Sequence, residues 1–273
     1  MRLLIVLLIS STIAGCYSLT HVQQFTAEAN QTLAQGTQLQ PTFMDICQQR
    51  QRIQLIQQGK LTRQFQQGCD LQQQADSTAI QILQALTRYL SSLQLLGSSG
   101  RSGYSLAPLG DALQVHPWLE GQGDVVGAYQ QLAQISLTGF TESSRRKKAG
   151  QLIAQANPAV QTLLDAYRFV LSDLLVESIE RQKDLHYFYS LELVDSTQSF
   201  IEKKQVIEEF MDQQLRYKEQ QQNLKQYSDA LGAIGEGHQA LYEQRGQLQQ
   251  QEAIEALFYY TGQLQQSQLL QKF

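Results

Sequence analysis

The sequence predicts an all-α protein, an elongated antiparallel helical bundle with long coiled-coil-like helices. Three observations lead there. Apolar residues recur at three and four residues over most of the chain, and no stretch alternates apolar and polar residues as a half-buried strand does. Only four prolines interrupt 273 residues, so long helices meet few obstacles. Glutamine supplies 49 residues, nearly one in five, and it favours helix about as well as lysine or glutamate without adding charge. With 42% apolar residues the chain can bury a core. Its net charge of -4 lacks the basic footprint of nucleic-acid binders, so no nucleic-acid partner is expected.

Taken in order, the first helical stretch is 18–35, with Val22, Phe25, Ala29 and Leu33 on one face and Gly36 and Pro41 beyond its end. A second follows Pro41, with a thinner stripe of Phe43, Ile46, Ile53 and Ile56. The third, 76–96, has Asp76, Ser77 and Thr78 as capping oxygens, a leucine stripe from Leu83 to Leu96, and Gly97 as its stop. Residues 97–127 differ from the rest. They hold seven of the 18 glycines, two of the four prolines and the one Trp, and read as an irregular connection with a short helix around 110–115.

Helical pattern resumes from Val125 to about Leu137. Thr141, Ser143 or Ser144 then offers a cap for a short helix. Asn157-Pro158 is a start signal, a capping Asn followed by Pro in the first turn, for a long helix reaching about Val194. Asp195-Ser196-Thr197 caps or bends the next. From Ile207 through Phe210, Gln214, Tyr217, Gln221, Leu224, Ser228, Leu231, Ile234, His238, Leu241 and Arg245 to Leu248, threes and fours alternate as a coiled-coil seam with polar entries. Gly232, Gly235 and Gly237 mark either a break or a close approach of two helices. The 158–194 and 195–248 stretches are expected to pack antiparallel, with Tyr167, Leu171, Leu174, Leu224, Leu231 and Leu241 buried and Gln222 outside. A last helix, 250–270, turns Ile254, Leu257, Phe258 and Leu264 inward. About five to seven helices in one domain from residue 16 onward result.

The start of the chain carries an address. Arg2 precedes an unbroken apolar run from Leu3 to Ile9, too short to stay as a spanning helix and of the length of a signal-peptide core. A buried N-terminal element is the competing reading. Ile13-Ala14-Gly15-Cys16 resembles the lipobox of bacterial lipoproteins. The resemblance covers residues 1–16. It implies that the peptide 1–15 is removed, that Cys16 receives a diacylglyceryl group on sulfur, and that its new amino group takes a further acyl chain such as palmitate. Two or three such chains hold a protein on a membrane, at about 0.8 kcal/mol per buried methylene. In that family an Asp after the Cys favours the inner membrane. Here Tyr17 follows, so the resemblance implies outer-membrane sorting in a bacterial envelope.

With Cys16 lipidated, Cys47 and Cys69 remain as an even pair, which reads as a disulfide in an oxidising compartment. Two separate buried thiols are the alternative; a metal pair lacks further ligands at suitable spacing.

Chemistry is sparse. His21, His116, His186 and His238 form no His-Glu-x-x-His or Glu-x-x-His motif, and no metal or cofactor is expected. His238 on its apolar stripe reads as a hydrogen-bonded core histidine, and His186 among Tyr187, Phe188 and Tyr189 as part of a packing layer. No nucleophile elbow, phosphate loop or dinucleotide fingerprint selects a catalytic residue, so no enzyme is expected. Two candidate partner contacts stand out. Arg145, Arg146, Lys147 and Lys148 form the one dense basic cluster, which suits anionic lipid headgroups, lipopolysaccharide phosphates or an acidic partner as well as plain solvent. Trp118 in the Gly-rich connection suits an interface anchor or a lid over the bundle's end. The expected role is a membrane-anchored, non-enzymatic module contacting envelope proteins or its own copies. A pore-forming helical protein is the alternative, opposed by the four charges within the most apolar later segment, 163–179.

Overall fold

The computed structural model describes residues 19–59, 68–97, 117–119, 122–135 and 142–270. Every regular element among them is helical. The chain forms an elongated antiparallel bundle, as its periodicity predicts. The proposed signal peptide and the short helix around 110–115 lie outside the described residues.

Helix α1 (Thr20–Gln35) buries Val22, Phe25, Ala29 and Leu33 completely, against α3 (Asp70–Gly97) on one side and α8 (Gln251–Leu270) on the other. Helix α2 (Phe43–Gln57) follows α1 in the chain and starts on a capping box: Thr42 Oγ1 accepts from the Asp45 amide at 3.1 Å while the Thr42 amide donates to Asp45 Oδ2 at 2.8 Å. Its next two amides, Phe43 and Met44, donate to the carboxylate of Asp76, each at 3.0 Å. The sequence assigns Asp76 to the start of its own helix. Instead α3 begins six residues earlier, and Asp76 from its second turn caps α2. A carboxylate there meets the positive end of the α2 dipole. Burial nevertheless pushes the Asp76 carboxyl above its usual range, against the pull of those two amides. Cys47 and Cys69 are joined by a disulfide that pins α2 to the start of α3. Closing 22 residues stabilises by roughly 3 kcal/mol on the chain-entropy model.

After α4 (Val125–Gln134) come α5 (Glu142–Phe169), a π-helical turn (Val170–Leu175) and α6 (Val176–Ser196), one continuous rod of roughly 80 Å at 1.5 Å per residue. Two sequence expectations fail along it. Asn157-Pro158 starts no helix, because Pro158 lies inside α5. A proline there costs about 3 kcal/mol. Upstream, however, the helix buries Leu152, Ile153 and Ala156, and a fully buried Leu or Ile is worth about 1.5–3 kcal/mol. Pro158 is also exposed, and Ala154, whose carbonyl loses its helical donor, lines an open cleft. Leu174 is the second failure. It is only half-buried. The π turn widens the spacing, so the buried stripe runs Tyr167, Leu171, Leu175, Ile179 in steps of four, and Leu175 takes the place foreseen for Leu174.

Ser199 caps α7 (Phe200–Glu243), which returns antiparallel to the rod over 44 residues, roughly 66 Å. The cap is Ser199 rather than Asp195, Ser196 or Thr197, which end α6. The glycines do not break α7. At Gly237 an added Cβ would meet Phe25 and lie 3.2 Å from Tyr260 Cβ, so the close-approach reading holds there. The seam is buried at Tyr217, Leu224, Ser228, Leu231, Ile234, His238 and Leu241. It stops short at both ends. Ile207 is 47% exposed, while Arg245 and Leu248 fall after the helix, Arg245 exposed and Leu248 buried in the turn to α8. In α8, Leu257 and Leu264 point inward as expected and Ile254 partly so, but Phe258 is exposed.

Candidate functional site

The two ends of the bundle differ in kind. At the base, α1 begins beside the turn between α7 and α8, where His21 Nε2 lies 2.7 Å from the Leu248 carbonyl. The first turns of α5 approach the same place. Lys147, Gln151 and Ala154 from α5 and Arg245 and Leu248 from the turn line an open cleft of about 530 Å³. None of its lining side chains is acidic. Arg245 stacks on the Tyr242 ring at 4.4 Å and donates to the Tyr242 carbonyl at 2.7 Å. The basic cluster of the sequence thus gains Arg245 as a neighbour. Lys147 is exposed and Lys148 half-buried; the side chains of Arg145, Arg146 and Trp118 lie outside the described residues, as does Cys16.

Above the base, α5, α3 and α7 enclose a polar cluster. His238 is fully buried, 2.6 Å from the Tyr89 hydroxyl through Nε2 and 2.9 Å from Asn157 Oδ1 through Nδ1. Asn157 Nδ2 donates to Gln239 Oε1 at 3.0 Å. With Nδ1–H donating and Nε2 accepting from Tyr89, the neutral imidazole is satisfied on both sides. Burial holds its pKa down at about 3 and pushes the Tyr89 hydroxyl up. This is the core histidine the stripe foretold, and Asn157 serves it instead of capping a helix. Among the described residues no group of three or more His, Cys, Asp or Glu is placed to hold a metal ion.

The opposite end is an arm. Beyond Tyr217, α7 continues for roughly 27 Å to its tip at Ser199, paired with the last turns of α6. An aromatic layer joins the two. His186 of α6 stacks on Phe210 at 5.9 Å and meets Tyr217 edge-on at 6.2 Å, while Tyr187 lies 6.0 Å from Phe210. Burial and the nearby Arg216 lower the His186 pKa. On one side α2 packs on α6, its Gln57 donating to Glu192 at 2.9 Å. Elsewhere α6 and α7 leave a largely apolar groove of about 210 Å³ lined by Tyr187, Ser190, Leu191, Val194, Val206, Ile207 and Phe210.

Beside it, Phe200, Ile207, Met211 and Leu215 recur at seven, four and four residues, so they share one helix face. They are 47–81% exposed. Phe188 and Ile201 add further exposed apolar surface to the arm. Monomeric proteins rarely expose contiguous apolar patches larger than a few hundred Å². Sequence reading placed Ile207 in the buried seam and missed this surface. The signal was present as a second stripe, 200/207/211/215, rotated about 120° from the inward stripe 206/210/217/224 on the same helix.

No described helix is long and apolar enough to cross a membrane. Comparisons with protein families, with characterised proteins and with solved structures find no match to this chain.

Proposed function

We propose that the protein is an envelope lipoprotein, held on a bacterial membrane by acylated Cys16, that works without catalysis by presenting its α6–α7 arm for protein contact. The observation that carries the reading is the polarity of the bundle. Cys16 precedes the first turn of α1 by four residues, a reach of about 14 Å at most. An anchor there sets the base at the membrane, with Lys147 and Arg245 toward the headgroups. The apolar arm then points away, some 66 Å from the base along α7. The Cys47–Cys69 disulfide suits the oxidising side of that membrane. The buried, fully paired His238 cluster is a structural element of the core rather than an open site.

The arm's apolar tip lends the pore-forming alternative its one support. Against it, Glu202, Lys203, Lys204, Glu208, Glu209 and Asp212 interleave with the apolar positions, and burying such charges in hydrocarbon is costly.

Cells fed labelled fatty acid test the anchor. The full chain incorporates label and fractionates with membranes; Cys16→Ala incorporates none and accumulates as precursor or soluble product. Continued labelling of the Ala variant refutes the anchor. A photo-crosslinker at Leu215 tests the arm in intact envelopes, where protein adducts are expected from Leu215 and not from a control at Pro158. Adducts to lipid alone favour the membrane-active alternative.

A further inference from the structure

We infer that the occupant of the exposed face of the arm is a second copy of this chain, paired side by side with the two arms parallel. The inference rests on the reading of the arm as a contact surface. The parallel direction rests on the anchor.

Three observations favour a copy. First, the area suffices. Phe200, Ile207, Met211, Leu215, Tyr187 and Leu191 are 45–81% exposed. At roughly 150–250 Å² for a fully exposed large side chain, they offer on the order of 600 Å² of apolar surface. A standard interface takes about 800 Å² from each partner, about 65% of it apolar in homodimers, or roughly 500 Å².

Second, the charges that α7 brings to the arm nearly balance. Between 199 and 219, Lys203, Lys204, Arg216 and Lys218 stand against Glu202, Glu208, Glu209, Asp212 and Glu219. Lys204, which shares the stripe, is paired with Glu208 at 3.5 Å, so α7 carries little net charge to repel its own copy or to attract an anionic bilayer.

Third, the geometry is that of an incomplete bundle. Helix α6 packs on α2 and on α7, and the groove between α6 and α7 is where a further helix belongs. A copy supplies it through an isologous contact, the same patch on both sides.

Two chains anchored in one leaflet hold their arms in the same direction, so the two-fold axis runs along the arm. Each residue of the α7 stripe then faces its own counterpart: Met211 opposite Met211, Ile207 opposite Ile207. Anchoring also concentrates the copies in two dimensions.

The test uses the chain from Tyr17 onward, which retains every described residue and, with Cys47 and Cys69 paired, has no free thiol. Sedimentation is expected to show a monomer–dimer equilibrium with a dissociation constant in the micromolar range or tighter, as interfaces of this size give. Met211→Glu sets two carboxylates face to face and weakens the dimer at least tenfold. Met211 is 60% exposed, so the variant keeps the helix content of the parent, and its thermal midpoint matches the parent's at concentrations below the dissociation constant, where both are monomeric. Met211→Cys gives a disulfide-linked dimer under mild oxidation, and Lys225→Cys, on the exposed side of the body, does not. A single monomeric species at about 100 µM, a dimer indifferent to Met211→Glu, or equal crosslinking at both cysteines overturns the inference. Dimerisation of this chain, which lacks Cys16, together with absent fatty-acid labelling of the full chain, sinks the anchor and the parallel direction that rests on it, and leaves the dimer standing. Fatty-acid labelling of the full chain together with a monomeric chain from Tyr17 sinks the dimer alone.

Discussion

Two glycines of α7, five residues apart, are expected to respond in opposite directions to the same substitution. Gly→Ala in a helix interior gains about 0.8–1 kcal/mol from backbone propensity alone. At Gly232 nothing opposes that gain. The new Cβ meets only the guanidinium end of Arg168, at 3.4–3.7 Å, ordinary contact with a flexible side chain. Gly232→Ala should therefore stabilise by about 0.5–1 kcal/mol. At Gly237 the Cβ collides with the ring of Phe25, 2.6 Å from Cζ, and crowds Tyr260 Cβ at 3.2 Å. Phe25 has no exposed surface and no room to turn aside. Overpacking of this kind costs typically 1–3 kcal/mol, and the propensity gain offsets only part of it. Gly237→Ala should lose about 1–2 kcal/mol. In a chain of this size 1 kcal/mol moves the thermal midpoint by about 2–4 °C. Followed by circular dichroism at the helix band, Gly232→Ala should melt higher than the parent and Gly237→Ala lower. Shifts of the same sign would refute the close approach of α7 and α1 at Phe25.

The π turn gives a second test. Leu175→Asp, in the buried stripe, should destabilise by several kcal/mol, while Leu174→Asp, half-buried, costs clearly less; the reverse order in denaturant titrations would restore the regular spacing and remove the π turn. The third concerns pH. His238 titrates at about 3 in the folded chain and near its ordinary 6.5 when unfolded. Between those values the unfolded chain binds the extra proton, so stability is full above about pH 6.5 and falls as pH drops toward 3. From pH 6.5 to 5 the loss is about 2 kcal/mol, at about 1.4 kcal/mol per unit. The lowered pKa values of His21 and His186 act in the same direction. Denaturant midpoints at pH 7 and pH 5 measure it, and equal midpoints would place a charged or water-exposed imidazole at position 238.

What the sequence revealed follows the range of each signal. The stripe of α1 was legible because Val22, Phe25, Ala29 and Leu33 share one face whatever they pack on. The role of His238 was legible for the same reason. Asn157-Pro158 misled because a local start signal was read without the apolar run before it, whose burial outweighs the cost of one proline. Leu174 was misplaced because a single π turn shifts the stripe and has no local residue signature. The partner of Asp76 was beyond reach. Its carboxylate caps a helix 32 residues away in sequence, which only the fold brings near.

The candidate site belongs to a fourth class, a signal present and misassigned. A helix packed on one neighbour needs one apolar stripe. The stretch 200–217 of α7 carries two, and only the one bearing Val206, Phe210 and Tyr217 is satisfied by α6. Each exposed Leu, Ile or Phe forgoes about 1.5–3 kcal/mol of possible burial. A lone exposed apolar residue is unremarkable, but a stripe in register over four turns has a period, and the period matches that of a helix-packing face. The same stretch keeps glutamate, aspartate and lysine at the intervening positions, which preserves solubility while the face is open. Apolar spacing that suits a helical partner and polar spacing that suits water are what the proposed contact surface requires. A core strut needs only the first, and a solvent-facing helix only the second.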